Sequence, residues 1–146
     1  DLKKVEEIFE MYWTDPEFLD ELSGELEAFV KISGVDSGFF VAEEDGEIVG
    51  IVGFRKIPAY LNTFALTNKP VELYVIASKH RGTGIGTKLK QHLINELRNM
   101  NFSEVLLFSP NSHKESWAFH DNLGFERAGE VVPPEDDVGQ VWRKIL

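Results

Sequence analysis

The run Arg81-Gly82-Thr83-Gly84-Ile85-Gly86-Thr87, inside SKHRGTGIGTKLKQ at residues 78–91, has the residue types of a phosphate cradle. Glycines let a backbone approach anionic oxygens closely. A glycine-rich turn that opens a helix also aims successive N–H groups at the anion, and the helix dipole adds about half a positive charge there. The charge pattern agrees. The chain carries 25 acids and a net charge of -10, yet residues 73–95 hold four cations (Lys79, Arg81, Lys88, Lys90) and no acid. At the average density of 25 acids in 146 residues, about four would fall in that window. A tight strand-to-helix turn explains a single glycine but not this acid-free surround. Two familiar phosphate loops do not fit, since G-x-x-x-x-G-K-[ST] and G-x-G-x-x-G, started at Gly82, both require glycine where Thr87 stands.

The elements around the loop follow from periodicity. VELYVIA (71–77) reads as a strand running straight into it, and Ile85, Leu89, Leu93, Leu97 and Met100 mark one face of the helix that leaves it. EVLLFS (104–109) is an apolar run typical of a strand buried on both faces. Strand, helix, strand in this order predicts a right-handed crossover with a parallel pair. Upstream, Leu2, Val5, Ile8, Phe9 and Tyr12 predict a first helix. Asp15-Pro16 then caps a second that carries Leu19, Leu22, Leu26 and Phe29. Asp45-Gly46 between two β-rich runs predicts a hairpin, and residues 56–70 an irregular connection. Ser112 and Glu115 form a capping-box pattern for a later helix, with Gly124 suited to its C-terminal stop. FERAGEVV and QVWRKIL read as strands flanking the acidic loop PPEDD. The expectation is one α/β domain over residues 1–146.

Composition narrows the function classes. With 42% hydrophobic and 27% charged residues, the chain has the makeup of an ordinary globular domain. It has no cysteine, hence no disulfide, thiolate metal site or cysteine nucleophile, which fits a reducing, cytoplasmic address. An acidic balance disfavours broad nucleic-acid or anionic-membrane binding, and no apolar run approaches the roughly 18 residues of a membrane span. His113 and His120 stand seven apart on one predicted helix, but no third ligand is evident, so no metal is expected.

Read as R-x-x-G-x-G, residues 81–86 resemble the pyrophosphate-binding loop of the GNAT family of N-acetyltransferases, which use acetyl-coenzyme A. The family places this loop between its fourth strand and a long helix, as here. Its second signature, a helix ending in a YEKLGF-like run, is matched by SWAFHDNLGFE at 116–126. The resemblance covers essentially the whole chain. It implies a mixed, mostly antiparallel sheet with a central parallel pair and helices on both faces. The family's first strand has no counterpart before the helix at Leu2, which leaves the hairpin edge of the sheet in question. The family's frequent tyrosine is His120 here, as in branches similar to the phosphinothricin-type acetyltransferases. Its helix-start asparagine falls on His113, with Asn111 two residues earlier as a substitute.

The resemblance implies direct acetyl transfer to a primary amine of a small molecule or peptide. Pantetheine would enter where the strands on either side of the loop helix splay apart, with the thioester beside Ile76 and Ala77. A backbone N–H near Ile76 would face the developing oxyanion. Arg81 would orient the pyrophosphate over the N–H groups of Gly82, Thr83, Gly84, Ile85, Gly86 and Thr87, and Asn111, His113 and Ser116 complete the expected cofactor contacts. His120 is the candidate proton donor to the leaving thiolate. Glu72, the one acid on its strand and on the face of Tyr74 and Ile76, is the candidate base. Such a base matters most for a lysine-like amine, whose deprotonation at pH 7 costs about 4.6 kcal/mol against about 1 for an α-amine. The expected partner is therefore an amine acceptor rather than nucleic acid or membrane, with a homodimer open. Two other readings remain at this point: an acyl-coenzyme A-binding module without catalysis, and an interaction domain that holds an unrelated anion.

Overall fold

The computed structural model describes residues 37–79, 83–134 and 136–146. The two helices expected before residue 37 and the question of the family's first strand lie outside those residues, as do Arg81 and Gly82 of the loop. Six strands form one sheet in the order β1-β2-β3-β4-β6-β5. They are β1 (Gly38–Glu44), β2 (Glu47–Arg55), β3 (Pro70–Ser78), β4 (Glu104–Pro110), β5 (Glu126–Val131) and β6 (Gly139–Ile145). Helix α1 (Ile85–Asn99) links β3 to β4, and the short α2 (Trp117–His120) precedes β5. The mixed sheet with one parallel pair bears out the expected fold class.

By its internal contacts the chain divides into two compact units. The first takes in β1, β2, Val75 onward in β3 and α1 as far as Leu93. Asp45 and Gly46 close its hairpin with φ of 53° and 79°, the two positive values of a type I′ turn. β2 is buried along nearly its whole length, EIVGIVGFR reading as continuous core. Gly50 sets how closely α1 rides on β2: a Cβ there would lie 2.7 Å from Leu89 Cδ1 and 3.0 Å from Ile85 Cγ2. The sequence thus seats the first turn of α1 directly against a strand.

The second unit holds Arg55–Tyr74 and Ile94–Leu146. Here β3 pairs with β4 in parallel only over Pro70–Glu72 and Glu104–Leu106, whereas β4 continues to Pro110 beside β6. Alternation along β3 buries Val71 and Leu73 on one face. α1 ends in a Schellman motif. Phe102 N–H donates to Leu97 O and Asn101 N–H to Arg98 O, with Asn101 at φ 66° where glycine is commoner. A small core of Leu61, Leu106 and Val141, packed by Ile57, Tyr60, Phe64 and Phe108, ties the connection after β2 to the β4–β6 ladder.

That connection differs from the expected irregular loop. Ala59–Phe64 forms a 3-10 helix, and its exit is pinned. The fully buried carboxylate of Glu104 accepts through Oε1 from Leu66 N (2.9 Å), Thr67 N (2.7 Å) and Thr67 Oγ1 (2.6 Å). Arg143 Nη1 donates to Phe64 O at 2.9 Å. Polar side chains of two strands replace the hydrogen bonds that regular structure would have given this backbone.

The predicted capping box does not form. Asn111–Ser116 is a 3-10 helix, Pro110 occupies the N-cap without a side-chain bond, and α2 begins only at Trp117. A proline at the cap position removes the register that Ser112 and Glu115 needed. His113 sits at the break, with φ -115° and ψ 35°, so it and His120 are not on one helix face. Gly124 is likewise not the helical stop. α2 ends at His120, and Leu123-Gly124 (φ 59° and 83°) makes a separate turn.

Candidate active site

In the first unit, β3 delivers the chain to the glycine loop. Val75 and Ala77 are buried, and Ile76 and Ser78 alternate with them half-exposed. Lys79 N donates to Val49 O at 2.7 Å, which fixes where β3 releases the chain. Thr83 and Gly84 are exposed. Gly84 has φ 81°, and a Cβ built on it would meet nothing within 4 Å. The glycine is therefore demanded by backbone conformation, and the space beside it is open. Gly84 O accepts from Lys88 N at 3.0 Å as the first helical bond. The N–H groups of Ile85, Gly86 and Thr87 thus belong to the first turn of a 15-residue helix that has no acid there. Lys88 is exposed, but Lys90 is fully buried. The positive charge at the loop surface is smaller than the count of cations suggested.

In the second unit, Glu72 is not a surface glutamate. Its side chain is 3% exposed and its Oε1 accepts from Arg55 Nε at 2.6 Å, while Arg55 itself is 37% exposed. The guanidinium lies 4.4 Å over the Tyr74 ring. Tyr60, on the 3-10 helix, meets Phe108 edge to face at 6.0 Å. Its phenol is pushed up to about 12, first by burial, then by the charge of Glu72, with Asp136 adding and Arg55 opposing. Arg55, Tyr60, Glu72 and Tyr74 form a charged, aromatic-walled cluster. Sequence reasoning singled out only Glu72, with Tyr74 as its neighbour. The signal for Arg55 was present: a lone cation closes an otherwise buried strand in a chain whose next strand carries a lone acid.

Asn111 and Ser116 are half-buried, as is His113. Asn111 N donates to Val138 O at 3.0 Å, and its buried Oδ1 has no hydrogen-bond partner among the described residues. That orphan acceptor suits the amide N–H of a ligand. His120 is 9% exposed. Its ring lies 4.9 Å from Trp142 and 5.8 Å from Phe119. Trp142 is held in turn, its Nε1 donating to Asp121 Oδ1 at 2.8 Å. Arg127 grips the same carboxylate with two bonds of 3.0 Å. The bond from Arg127, then that from Trp142, holds Asp121 below the ordinary aspartate range, with the charge of His120 the smallest contributor. Asp121, Arg127 and Trp142 are surroundings of His120 that the sequence reading did not name. Among the described residues no group of three His, Asp or Glu is placed to hold a metal.

The comparisons with known proteins agree with this geometry. Residues 3–125 match the Acetyltransferase (GNAT) family, and the chain belongs to that family. It is 30% identical over 96 residues to N-acetyltransferase 8 of Mus musculus, a match covering 64% of this chain and 40% of that protein. The chain thus spans less than half the length of that curated relative. Among solved structures, an aminoglycoside 6'-N-acetyltransferase complexed with coenzyme A superposes with a TM-score of 0.75 at 16% identity, covering 99% of this chain and 89% of the other. The PaiA N-acetyltransferase of Thermoplasma acidophilum, also with coenzyme A, gives 0.69 at 16%, covering 100% and 93%. At those identities the structures speak for the fold. No described helix is long and apolar enough to cross a membrane.

Proposed function

We propose that the chain is an acetyl-coenzyme A-dependent N-acetyltransferase acting on a primary amine of a small molecule or peptide. The observation that carries the reading is the opening of α1: a glycine at φ 81° with open space beside it, followed by first-turn N–H groups and no acid. That arrangement fits a pyrophosphate, with Arg81 and the N–H groups of residues 82–87 as its holders. Asn111 Oδ1, together with His113 and Ser116, would receive the pantetheine arm. Acetyl-coenzyme A supplies the thioester whose acyl carbon the amine attacks.

The chain's own residues then have three tasks. The Ile76 N–H stabilises the charge that develops on the acyl oxygen, a contribution of a few kcal/mol. Glu72 takes the ammonium proton through a chain of waters. His120 gives a proton to the departing thiolate, and the neighbouring Asp121 carboxylate attracts the imidazolium that does so. The address is the cytoplasm in this reading.

A non-enzymatic acyl-coenzyme A-binding module is the competing function. It is favoured by the aromatic packing around His120 and by the commitment of Glu72 Oε1 to Arg55. Thiol release from acetyl-coenzyme A across α-amines and lysine-like amines decides between them. Amine-dependent release supports the transferase, and tight cofactor binding without release supports the module. Glu72→Gln should slow lysine-like acceptors more than α-amines. His120→Phe should lower kcat and leave cofactor affinity intact; a full-speed variant removes its acid role.

A further inference from the structure

His120 stands on a helix too short to orient it. α2 is four residues long, and so short a helix has too few i→i+4 bonds to be stable by itself. Neither flank extends it. The 3-10 turn before it leaves helical geometry at His113, and after it Leu123 and Gly124 take φ of 59° and 83°. The orientation comes from packing instead. Trp142 of β6 is fully buried, and its indole lies 4.9 Å from the imidazole with the ring planes 58° apart. That indole is held in turn. Its Nε1 donates to Asp121 Oδ1 at 2.8 Å, and Trp117 meets it edge to face at 5.4 Å. Arg127 of β5 braces the same carboxylate through two bonds of 3.0 Å. Asp121 follows His120 in the chain, so the contacts close a ring from His120 through Asp121 and Trp142 back to His120. Every member belongs to the second unit. The bonds from Arg127 and Trp142 lower Asp121 most and the charge of His120 least, so the carboxylate's larger task is to hold the indole.

We propose that Asp121 and Trp142 are positioning residues for His120, with Arg127 as the brace of the carboxylate. This rests on the reading of His120 as proton donor to the leaving thiolate, and it deepens that reading. The donor is aimed from two strands rather than by its own helix. A proton donor acts only within hydrogen-bond reach, so a ring that turns away costs rate rather than cofactor affinity.

The test compares Asp121→Ala, Asp121→Asn and Trp142→Phe, each alone and combined with His120→Phe. The readout is thiol release from acetyl-coenzyme A with an amine that the wild-type protein acetylates. Asp121 is 42% exposed, so its replacement leaves the fold standing. Asp121→Ala should lower kcat by about 10-fold, part of the roughly 100-fold or more that a positioned proton donor supplies. The dissociation constant for coenzyme A should not move. Asp121→Asn keeps an oxygen for the indole and should recover most of the loss. Trp142→Phe keeps a ring without the N–H and should resemble Asp121→Ala. Combined with His120→Phe, none of the three should lower kcat further. Apart from activity, the ring current of Trp142 displaces the NMR signals of the His120 imidazole, and Asp121→Ala should move them towards their positions in an unstructured peptide. Unchanged imidazole signals overturn the clamp. Asp121→Ala at the wild-type rate, or an equal loss with and without His120, overturns the positioning role and leaves His120 as donor. His120→Phe at full speed overturns the donor reading, and the positioning role falls with it. A panel of amines that yields no thiol overturns the transferase reading and this one together.

Discussion

Replacing Glu104 by alanine tests whether the exit of the 3-10 helix after β2 is held by one buried carboxylate. Glu104 is fully buried, and its Oε1 receives two backbone N–H groups and one hydroxyl from Leu66 and Thr67. The hydroxyl keeps a second partner, Ser103 Oγ at 2.6 Å. The two N–H groups lose theirs; Leu66 is exposed, so water can replace its partner, and the cost falls mainly on the half-buried Thr67 N–H, about 1–3 kcal/mol. Relief of carboxylate burial offsets part of this, since Glu104 Oε2 has no hydrogen-bond partner among the described residues. The net loss should be about 1–3 kcal/mol, or about 3–12 °C in Tm for a chain of this size. Glu104→Gln keeps an acceptor oxygen in place and should cost less, under about 2 kcal/mol. Chemical denaturation and calorimetry measure both. In kinetics, Glu104→Ala should raise the acceptor KM through the loosened Tyr60 segment while the dissociation constant for acetyl-coenzyme A stays put. A variant within about 0.5 kcal/mol of wild type, or one that loses cofactor affinity instead, refutes the reasoning.

Gly84→Val puts a β-branched side chain at φ 81°, a backbone cost of about 1–2 kcal/mol, although nothing lies within 4 Å to clash. Affinity for coenzyme A in a calorimetric titration should fall far more than Tm does. Asp121 titrates below its ordinary range through Arg127 and Trp142. Its folded pKa is depressed, so its stabilisation is present above the unfolded aspartate value and disappears as pH falls through the folded one. The side chain is 42% exposed, so the amount is at most about 1 kcal/mol after screening. Asp121→Asn should flatten the stability profile in that acidic window and leave neutral-pH stability lower by the same small amount, read from denaturation at several pH values.

The parts of the fold that could be read from residues were those with local causes. Asp45-Gly46 fixes its own turn, β4 announces double burial by a run of apolar residues, and the face of α1 repeats at helical spacing. Gly84 was legible for the same reason, since a turn that opens a helix asks for the positive φ it adopts. Helix starts and surface assignments that depended on distant partners were not. Proline at 110 displaced the capping box, and the burial of Lys90 contradicts what a count of cations implied. Glu72 could be picked out as an acid on a strand, but its partner Arg55 is 17 residues away and meets it only across the sheet. The pinning of Leu66 and Thr67 by Glu104 spans 37 to 38 residues, which no periodicity records. The same holds for Trp142, which packs His120 from a strand 22 residues later.

Direct transfer of acetyl from thioester to amine is the central claim. A single-turnover reaction, with protein in excess over acetyl-coenzyme A and an accepted amine present, tests it when free thiol, N-acetylated amine and intact protein mass are followed together. The account predicts thiol and acetylated amine appearing at one common rate and in equal amounts, with no acetyl group on the protein at any time. Thiol released ahead of the acetylated amine, with a transient acetyl adduct on the chain, contradicts it.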